Sequence, residues 1–277
     1  MKIKFLLLIP FLLSSCGYFK YQEVESVKKA ELQSPDKVIQ YSTYAGLIER
    51  LFDGFVTIDT VLCQGNHGIG TTDCLHGELI IMDGIPYRVT YDGVVEIVGK
   101  EETTPYVTLA NVDPDQAVLI TLPAGTTVQE LTAKVAELAA DQFQKNFPYA
   151  IRLEGKFASA RMRSIPKLEK PFISLADVAK NQSIFTFENE SLSIIGFWNP
   201  SYAEDLNPPQ WHIHGLNAAR TSGGHVLDFT TAEDVQVSLW KLIGFDVNLP
   251  DSTEFAEADF SQDLSAQIQK VNRDKED

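Results

Sequence analysis

Three of the five histidines in the chain, His212, His214 and His225, fall within fourteen consecutive positions. If the first two lie on one β-strand, their side chains project from the same face, because side chains alternate with a period of two residues along a strand. The segment Ser222-Gly223-Gly224 predicts a turn that brings His225 back beside them on a paired strand. Three convergent imidazoles with an open fourth position are typical of a catalytic zinc site rather than of a closed structural one.

Two other interpretations compete with a metal site. Separate surface or core histidines would need no common pattern, and the His-x-His spacing beside a Gly-Gly-His turn argues against them. A cupin barrel also uses His-x-His, but it normally places a glutamate three or four positions later, where this chain has Asn217 and Ala218. Neutral imidazole suits zinc best, although iron, copper and nickel also accept it as a ligand.

No other segment predicts covalent catalysis or phosphate binding. The chain has no Gly-x-Ser-x-Gly elbow around a serine nucleophile. Gly68-Ile69-Gly70-Thr71 is too short and wrongly placed for a phosphate loop. We interpret it as a turn whose glycines let the backbone approach another element closely.

Cys63 and Cys74 flank a loop of ten residues. In an exported protein, a disulfide that closes this loop is the favoured interpretation. The alternative is a second zinc site formed by Cys63, His67, Cys74 and His76, but the spacing lacks the tight Cys-x-x-Cys pattern of such sites.

The first fifteen residues have the pattern of an export signal. Two lysines precede the apolar run Phe5–Leu13, which is too short to span a bilayer comfortably. The sequence Leu13-Ser14-Ser15-Cys16-Gly17 resembles a bacterial lipobox, which implies cleavage before Cys16 and lipidation of that cysteine. An ordinary secretory signal with an incidental cysteine is the alternative. We expect an exported protein, lipid-anchored to the cell envelope (periplasmic or outer surface), with residues 16–37 as a tether.

Charge excludes one class of partner. Cleavage before Cys16 leaves 21 basic and 38 acidic residues, a net charge of −17. Such a surface repels phosphate backbones, and no basic stripe with interleaved aromatic residues is present, so we expect no nucleic-acid binding. The only membrane contact that we expect is through the lipid.

The predicted elements are strands, then one long helix, then strands again. Asp83-Gly84 and Asp92-Gly93 between apolar runs predict β-hairpins. Thr127-Val128-Gln129-Glu130 matches a capping box and opens the helix, which should end before Pro148. Further predicted elements are helices over Thr43–Phe52, Ser174–Lys180 and Ser261–Lys270, and strands over Phe55–Leu62, Ile184–Phe187 and Leu192–Phe197. Tyr149–Leu153 and Phe157–Arg163 are predicted to be paired strands.

This order predicts an α+β fold with two mixed or antiparallel β-sheet subdomains and a few helices, not a doubly wound parallel sheet. We place the N-terminal sheet subdomain at residues 38–147. The C-terminal sheet subdomain, at residues 148–277, carries the histidines. Within the pair Tyr149–Leu153 and Phe157–Arg163, Glu154-Gly155 is the predicted turn.

Several separated motifs together resemble the bacterial α-acetolactate decarboxylase family. The resemblance runs from about Val38 to the last helix, and the motifs follow one another in the family's order. They are Gly68-Ile69-Gly70-Thr71, Leu75-His76-Gly77-Glu78-Leu79, Asp83-Gly84, Tyr149-Ala150-Ile151-Arg152, Gly155, Phe157, Arg163, Gly196-Phe197, Pro200, Tyr202-Ala203, His212-x-His214 and Ser222-Gly223-Gly224-His225.

The resemblance implies a zinc enzyme that converts 2-acetolactate (2-hydroxy-2-methyl-3-oxobutanoate) to acetoin and carbon dioxide through a metal-stabilised enediolate. It implies a homodimer, and a two-sheet fold with zinc between the sheets. The residues that match the family's site are the metal ligands His212, His214 and His225, the catalytic Glu78 and Arg163, and the substrate-binding Thr71.

The resemblance gives two residues roles that their types and spacing alone do not suggest. Arg163 would hold a carboxylate or the enediolate oxygens, since its guanidinium is always charged. Glu78 would be the proton donor, which needs a raised pKa or a relayed proton near neutral pH. From the residues alone, Arg163 would be a strand-surface residue and Glu78 a hairpin cap.

One position departs from the family pattern. The family has a second active-site glutamate near the end of its last helix, where this chain has Asn272. Asparagine does not shuttle protons, so either Glu78 and Arg163 suffice, or Asp274 or Glu276 reaches the site, or activity is reduced. The alternative function is therefore a catalytically impaired metal- or ligand-binding lipoprotein on the same fold.

Overall fold

The computed structural model describes residues 36–261. Within this range the strands are, in chain order, β1 (Lys37–Tyr41), β2 (Val56–Thr57), β3 (His67–Thr71), β4 (Glu78–Met82), β5 (Ile85–Val89), β6 (Val95–Ile97), β7 (Thr103–Thr104), β8 (Tyr106–Ala110), β9 (Val118–Leu122), β10 (Tyr149–Ser164), β11 (Ser183–Asn199), β12 (Gln210–Asn217), β13 (Gly223–Thr231), β14 (Val235–Lys241) and β15 (Gly244–Asn248). The α-helices are α1 (Tyr44–Ile48), α2 (Ile58–Leu62), α3 (Leu131–Leu138), α4 (Leu175–Val178) and α5 (Thr253–Glu257).

The first sheet has seven strands in the order β15-β1-β8-β3-β4-β5-β6. Every pair is antiparallel except β1 with β15, which are parallel. All residues of β3, β4 and β8 are buried, because both faces of these central strands are covered. On β4, Ile80 and Met82 pack toward the second sheet, while Leu79 and Ile81 pack on the opposite face against α2.

The second sheet has six strands in the order β11-β12-β13-β10-β14-β9. Strand β11 also pairs with β10 along almost its whole length, so β10, β11, β12 and β13 close into a ring. The interior of this curled sheet holds the largest apolar core, including Phe157, Phe229 and Met162, and α3 contributes Leu131 and Val135 to it. The two-sheet α+β prediction is confirmed.

Two predicted breaks in strands are wrong. Tyr149 to Ser164 is one continuous strand, and Gly155 pairs with Leu192 within it rather than forming a turn with Glu154. The glycine is needed for a close approach instead, since a Cβ there would lie 2.9 Å from Val235 Cγ2. Strand β11 is likewise continuous across both segments predicted for it, because the two long strands pair with each other.

One predicted strand is mostly helical, and the predicted long helix is shorter than expected. The predicted strand over Phe55–Leu62 is mostly helix, because the Thr57 hydroxyl accepts a hydrogen bond from the Thr60 amide and starts α2. The capping box forms, with Glu130 accepting hydrogen bonds from the amide and hydroxyl of Thr127. The helix nevertheless begins only at Leu131, and it ends at Leu138, before Pro148 as predicted.

The predicted division between residues 147 and 148 does not separate the two sheets. Strand β9 precedes this point but pairs with β14 of the second sheet. Strand β15 follows it but pairs with β1 of the first. Each sheet therefore includes one strand from the other side of the predicted division, and the two sheets form one packed unit.

Cys63 and Cys74 are free thiols, so the predicted disulfide between them is not formed. Half of the segment between Cys63 and Cys74 is strand β3 at the centre of the first sheet rather than a loop. The Cys74 thiol donates to the Asp73 carboxylate. The alternative zinc site is also wrong. Among residues 36–261, no group of close potential ligands contains Cys63, His67 or His76.

Several predictions fall outside the range that the structure describes. These are the export signal with Cys16, nearly all of the tether, the helix Ser261–Lys270 apart from its first residue, and Asn272. Within residues 36–261, no helix is long and apolar enough to cross a membrane.

His67 is a buried titratable group in the core between the sheets. Its ring packs against Phe197 and Trp240, and Nε2 lies 3.4 Å from the Gly196 carbonyl oxygen. Burial lowers the pKa of His67 to about 4; Gly196 opposes this shift, while Arg152 adds to it. The fold therefore favours the neutral ring over the charged one.

We predict that His67 contributes to acid sensitivity. Its pKa in the unfolded chain is about 6.5, so the unfolding free energy should fall as the pH drops below that value and level off below the folded pKa. Between pH 7 and 5 wild type should lose about 2 kcal/mol more stability than His67→Gln, measured by urea unfolding. Parallel pH curves for the two proteins would contradict this assignment.

Candidate functional site

Cross-strand pairing in the second sheet places three of the predicted site residues side by side. Arg163 on β10 is opposite His225 on β13, and His225 is opposite His214 on β12. Residues directly opposite each other in antiparallel strands put their side chains on the same face. His212 precedes His214 by two positions on β12, so its imidazole shares that face, as the spacing predicted.

The connection between β12 and β13 differs from the predicted turn. Residues 218–222 form it, and Gly223 and Gly224 already belong to β13. The Asn217 side chain holds the connection by accepting hydrogen bonds from the amides of Thr221 and Ser222. Gly224 has φ +144°, and a Cβ there would lie 2.3 Å from the Arg163 carbonyl oxygen. The missing side chain thus lets β13 come against β10 beside the site.

A second row of residues comes from the first sheet. Thr71 on β3 is opposite Glu78 on β4 and Tyr106 on β8. The Thr71 hydroxyl donates to the Gly77 carbonyl oxygen at 2.8 Å. The close backbone approach predicted for this segment is confirmed, since a Cβ on Gly70 would lie 2.3 Å from the Tyr106 carbonyl oxygen. It occurs within a strand, however, and not in a turn.

The two rows face each other across a cavity of about 580 Å³, counted with its open mouth. Glu78 Oε2 lies 3.6 Å from His214 Nε2. The polar side of the cavity is formed by Thr71, Glu78, Arg163 and the three histidines. The apolar side includes Tyr44, Leu47, Leu75, Ile165 and Leu175. All of the predicted catalytic, substrate-binding and ligand residues therefore lie around one cavity.

The three imidazoles have the separation that a tetrahedral metal site requires. His214 Nε2 lies 3.3 Å from His212 Nε2 and 3.3 Å from His225 Nδ1. For a Zn–N distance of 2.0–2.1 Å, tetrahedral geometry sets the nitrogens about 3.3–3.4 Å apart. His214 Nδ1 lies 3.1 Å from the Leu79 carbonyl oxygen, which fixes the proton on Nδ1 and turns the Nε2 lone pair toward the other two rings. The donor set fits a zinc ion.

A family model for alpha-acetolactate decarboxylase matches residues 38–262, most of the chain and the whole of the site just described. The chain belongs to this family. The alpha-acetolactate decarboxylase of Methanosarcina mazei is 32% identical over 92% of this chain and 88% of its own. That of Bacillus licheniformis is 31% identical over 91% of this chain and 100% of its own.

Solved structures of this family have the same fold. The crystal structure of alpha-acetolactate decarboxylase from Bacillus subtilis strain 168 superposes with a TM-score of 0.80 at 29% identity. The match covers 85% of this chain and 98% of that one. A second crystal structure, from Bacillus subtilis subspecies spizizenii, gives 0.79 at 30% identity.

Burial sets the charge state of each titratable group in the site. It lowers the pKa of His212 to about 3 and those of His214 and His225 well below their usual range, and Arg163 adds to each shift. The imidazoles are therefore neutral, which is the form that binds metals. Burial raises the pKa of Glu78 to about 7, against the opposing effect of Arg163. A raised pKa is one of the two conditions under which the family resemblance lets Glu78 act as a proton donor. Glu78 is also the first residue of β4 and pairs with Thr71, the last residue of β3, so it closes the β3–β4 hairpin.

The remaining site residues had no signal in the sequence. Tyr106 lies on an apolar strand, and its hydroxyl donates to Asn207 Oδ1 at 2.7 Å. Gln182 lies between α4 and β11, and its Oε1 accepts a hydrogen bond from Arg163 Nη1 at 2.9 Å. Each meets its partner through a contact distant in sequence, which neither residue spacing nor residue type predicts.

We predict that Gly224 is required for the approach of β13 to β10. Gly224→Ala should lower the unfolding free energy by more than about 2 kcal/mol, because its Cβ would collide with backbone at a strained φ. Gly244→Ala is the control, since its Cβ would meet only the Lys37 side chain, at 3.5 Å or more. Urea unfolding measures the unfolding free energy of both variants. Equal values for the two would show that stability does not depend on the close approach of β13 to β10.

Proposed function

We propose that this enzyme is a zinc-dependent decarboxylase that converts 2-acetolactate, a 2-hydroxy-3-keto acid, to acetoin and carbon dioxide. Family membership supports the reaction. The observation that carries the proposal for this chain is the opposed arrangement of Glu78 and Thr71 on one sheet and Arg163 and the three imidazoles on the other.

His212, His214 and His225 would hold the zinc ion, since their ligand atoms lie within 4.8 Å of one another and their rings are neutral. A zinc ion there would supply Lewis acidity, which lowers the energy of negative charge that develops on substrate oxygens when carbon dioxide leaves. Three protein ligands leave a fourth position for substrate, as in other catalytic zinc sites.

Arg163 would bind and orient the substrate anion. Its guanidinium offers a planar, positively charged set of donors that matches a carboxylate. Among the residues that the structure describes, it is the one lysine or arginine that lines the cavity. The apolar wall excludes water, which strengthens this charge interaction relative to bulk solvent.

Glu78 would supply the proton that the reaction consumes. When the bond to the carboxylate breaks, its electron pair delocalises toward the neighbouring ketone, and the carbon that lost carbon dioxide must then gain a proton. Within residues 36–261, Glu78 is the one carboxyl group that lines the cavity. It lies on β4 close to the imidazoles rather than at the apolar wall, which supports a role beside the proposed zinc ion.

No feature of the described residues favours the alternative of a catalytically impaired binding protein. That alternative rested on Asn272, which lies outside residues 36–261. The homodimer that the resemblance implies stays a prediction.

We predict that substitution of Glu78 removes activity but not zinc, whereas substitution of His214 removes both. Glu78→Gln should retain about one zinc per chain but lose at least about a hundredfold in kcat, because the amide has no acidic proton to give. His214→Ala should lose both zinc and activity, since a ligand is gone. Colorimetric detection of acetoin from racemic 2-acetolactate and metal analysis of the purified variants measure these effects. Loss of zinc from Glu78→Gln would show that this division of roles is wrong, and fully metallated wild type that forms no acetoin would refute the proposed function.

We also propose that the protein is exported and lipid-anchored through Cys16, on the basis of its lipobox-like sequence. Wild type expressed in a bacterial host should incorporate labelled fatty acid and sediment with membranes. Cys16→Ala should do neither, because it lacks the thiol that is acylated. Equal labelling of the two would contradict the anchor.

A further inference from the structure

The side-chain partner of Arg163 is neutral. Its Nη1 donates to the amide oxygen of Gln182, and the buried Nε has no hydrogen-bond partner in the part of the chain that the structure describes. Within residues 36–261, no carboxylate forms an ion pair with Arg163, although Glu78 lies on the same cavity. The guanidinium is thus held in place without being neutralised.

Two other arginines on the sheets, Arg88 and Arg152, form ion pairs with carboxylates. Arg88 pairs with Glu96 and with Glu102. Arg152 pairs with Asp83 at 2.7 Å and with Glu154 at 2.6 Å. Each of these guanidinium groups is compensated by two carboxylates, as expected for charges with a structural role. Arg163 is the contrast, because its partner is an amide.

The backbone that carries Gln182 is well fixed. The next residues, Ser183 and Ile184, pair with Ser164 and Arg163 in the β10–β11 ladder. On the other side, α4 buries Leu175 and Val178 in an apolar cluster that includes part of the cavity wall. The amide oxygen is therefore presented to the guanidinium from a position that the sheet register determines.

We propose that Gln182 is a positioning residue whose neutrality is functional: it orients Arg163 and leaves the positive charge free for an anionic substrate. The inference rests on the proposed function. The chain carries a net charge of −15, so it repels small anions at long range, and Arg163 is the cationic side chain in the described cavity wall. A carboxylate at position 182 would compensate that charge and compete with the substrate carboxylate.

The test compares two substitutions of Gln182 that change one property each. Gln182→Glu keeps the shape and adds a negative charge, and Gln182→Met removes the acceptor without adding charge. Gln129→Glu is the matched control, since Gln129 is exposed and does not line the cavity. Each variant is studied as the full-length, zinc-loaded protein, with zinc content measured first.

Two small ligands separate charge recognition from general damage to the cavity. The anion 2-hydroxy-2-methylpropanoate has the hydroxyl and carboxylate of the substrate but no ketone, so it cannot decarboxylate. Acetoin is the neutral product. Calorimetry measures the affinity of each ligand and requires no turnover. It therefore tests the role of Gln182 in anion binding even if acetolactate is not the substrate.

Gln182→Glu should raise the KM for acetolactate and the Kd of the anion by at least about tenfold, with zinc content unchanged and acetoin affinity within about twofold of wild type. Gln182→Met should weaken anion binding less than Gln182→Glu does and lower kcat, because the guanidinium loses its orientation. The control should match wild type. Equal loss of anion and acetoin affinity would overturn the proposal in favour of a structural role, and so would unchanged anion affinity in Gln182→Glu.

Discussion

A hydrogen bond between the two sheets places His214 beside Glu78. The His214 ring, on the second sheet, donates from Nδ1 to the Leu79 carbonyl oxygen of the first. This contact fixes the tautomer, so the His214 Nε2 lone pair faces the other two imidazoles. Because Glu78 precedes Leu79 on β4, the same contact brings the Glu78 carboxyl group to 3.6 Å from His214. The same hydrogen bond therefore fixes both the orientation of the His214 ring and the position of the Glu78 carboxyl group.

The rest of the site follows from strand register. Arg163, His225 and His214 stand in one row across three strands, and Tyr106, Thr71 and Glu78 stand in another. Rows of this kind are held by backbone hydrogen bonds on both sides, which makes them more exact than positions on loops. Burial between the sheets then keeps the imidazoles neutral and favours the protonated carboxyl group, while the arginine stays charged. The fold therefore supplies each group in the charge state that its proposed role requires.

The sequence predicted those features that depend on local pattern. The His-x-His spacing placed two imidazoles on one face, and the α+β class followed from the order of strands and helix. It failed where contacts distant in sequence override local signals. Gly155 reads as a turn residue but lies inside a long strand, because β10 and β11 pair over their full length.

The same reason explains which site residues the pattern missed. Glu78 and Arg163 gained their roles only through family resemblance, since each meets the histidines across a sheet or between sheets. The prediction of a loop between Cys63 and Cys74 failed because Gly68 and Gly70 belong to a buried central strand. Gln182 carried no signal at all, as its one contact with Arg163 depends on the fold of residues 165–182.

The central claim is that His212, His214 and His225, which all lie on the second sheet, form one zinc site. A crystal structure of the zinc-loaded protein, with anomalous diffraction measured at the zinc edge, tests it most directly. The account predicts one strong peak within about 2.0–2.1 Å of Nε2 of His212, Nε2 of His214 and Nδ1 of His225. No peak between these imidazoles, or a dominant peak at the other cluster of close potential ligands, Asp53, Asp73 and Cys74, would contradict it.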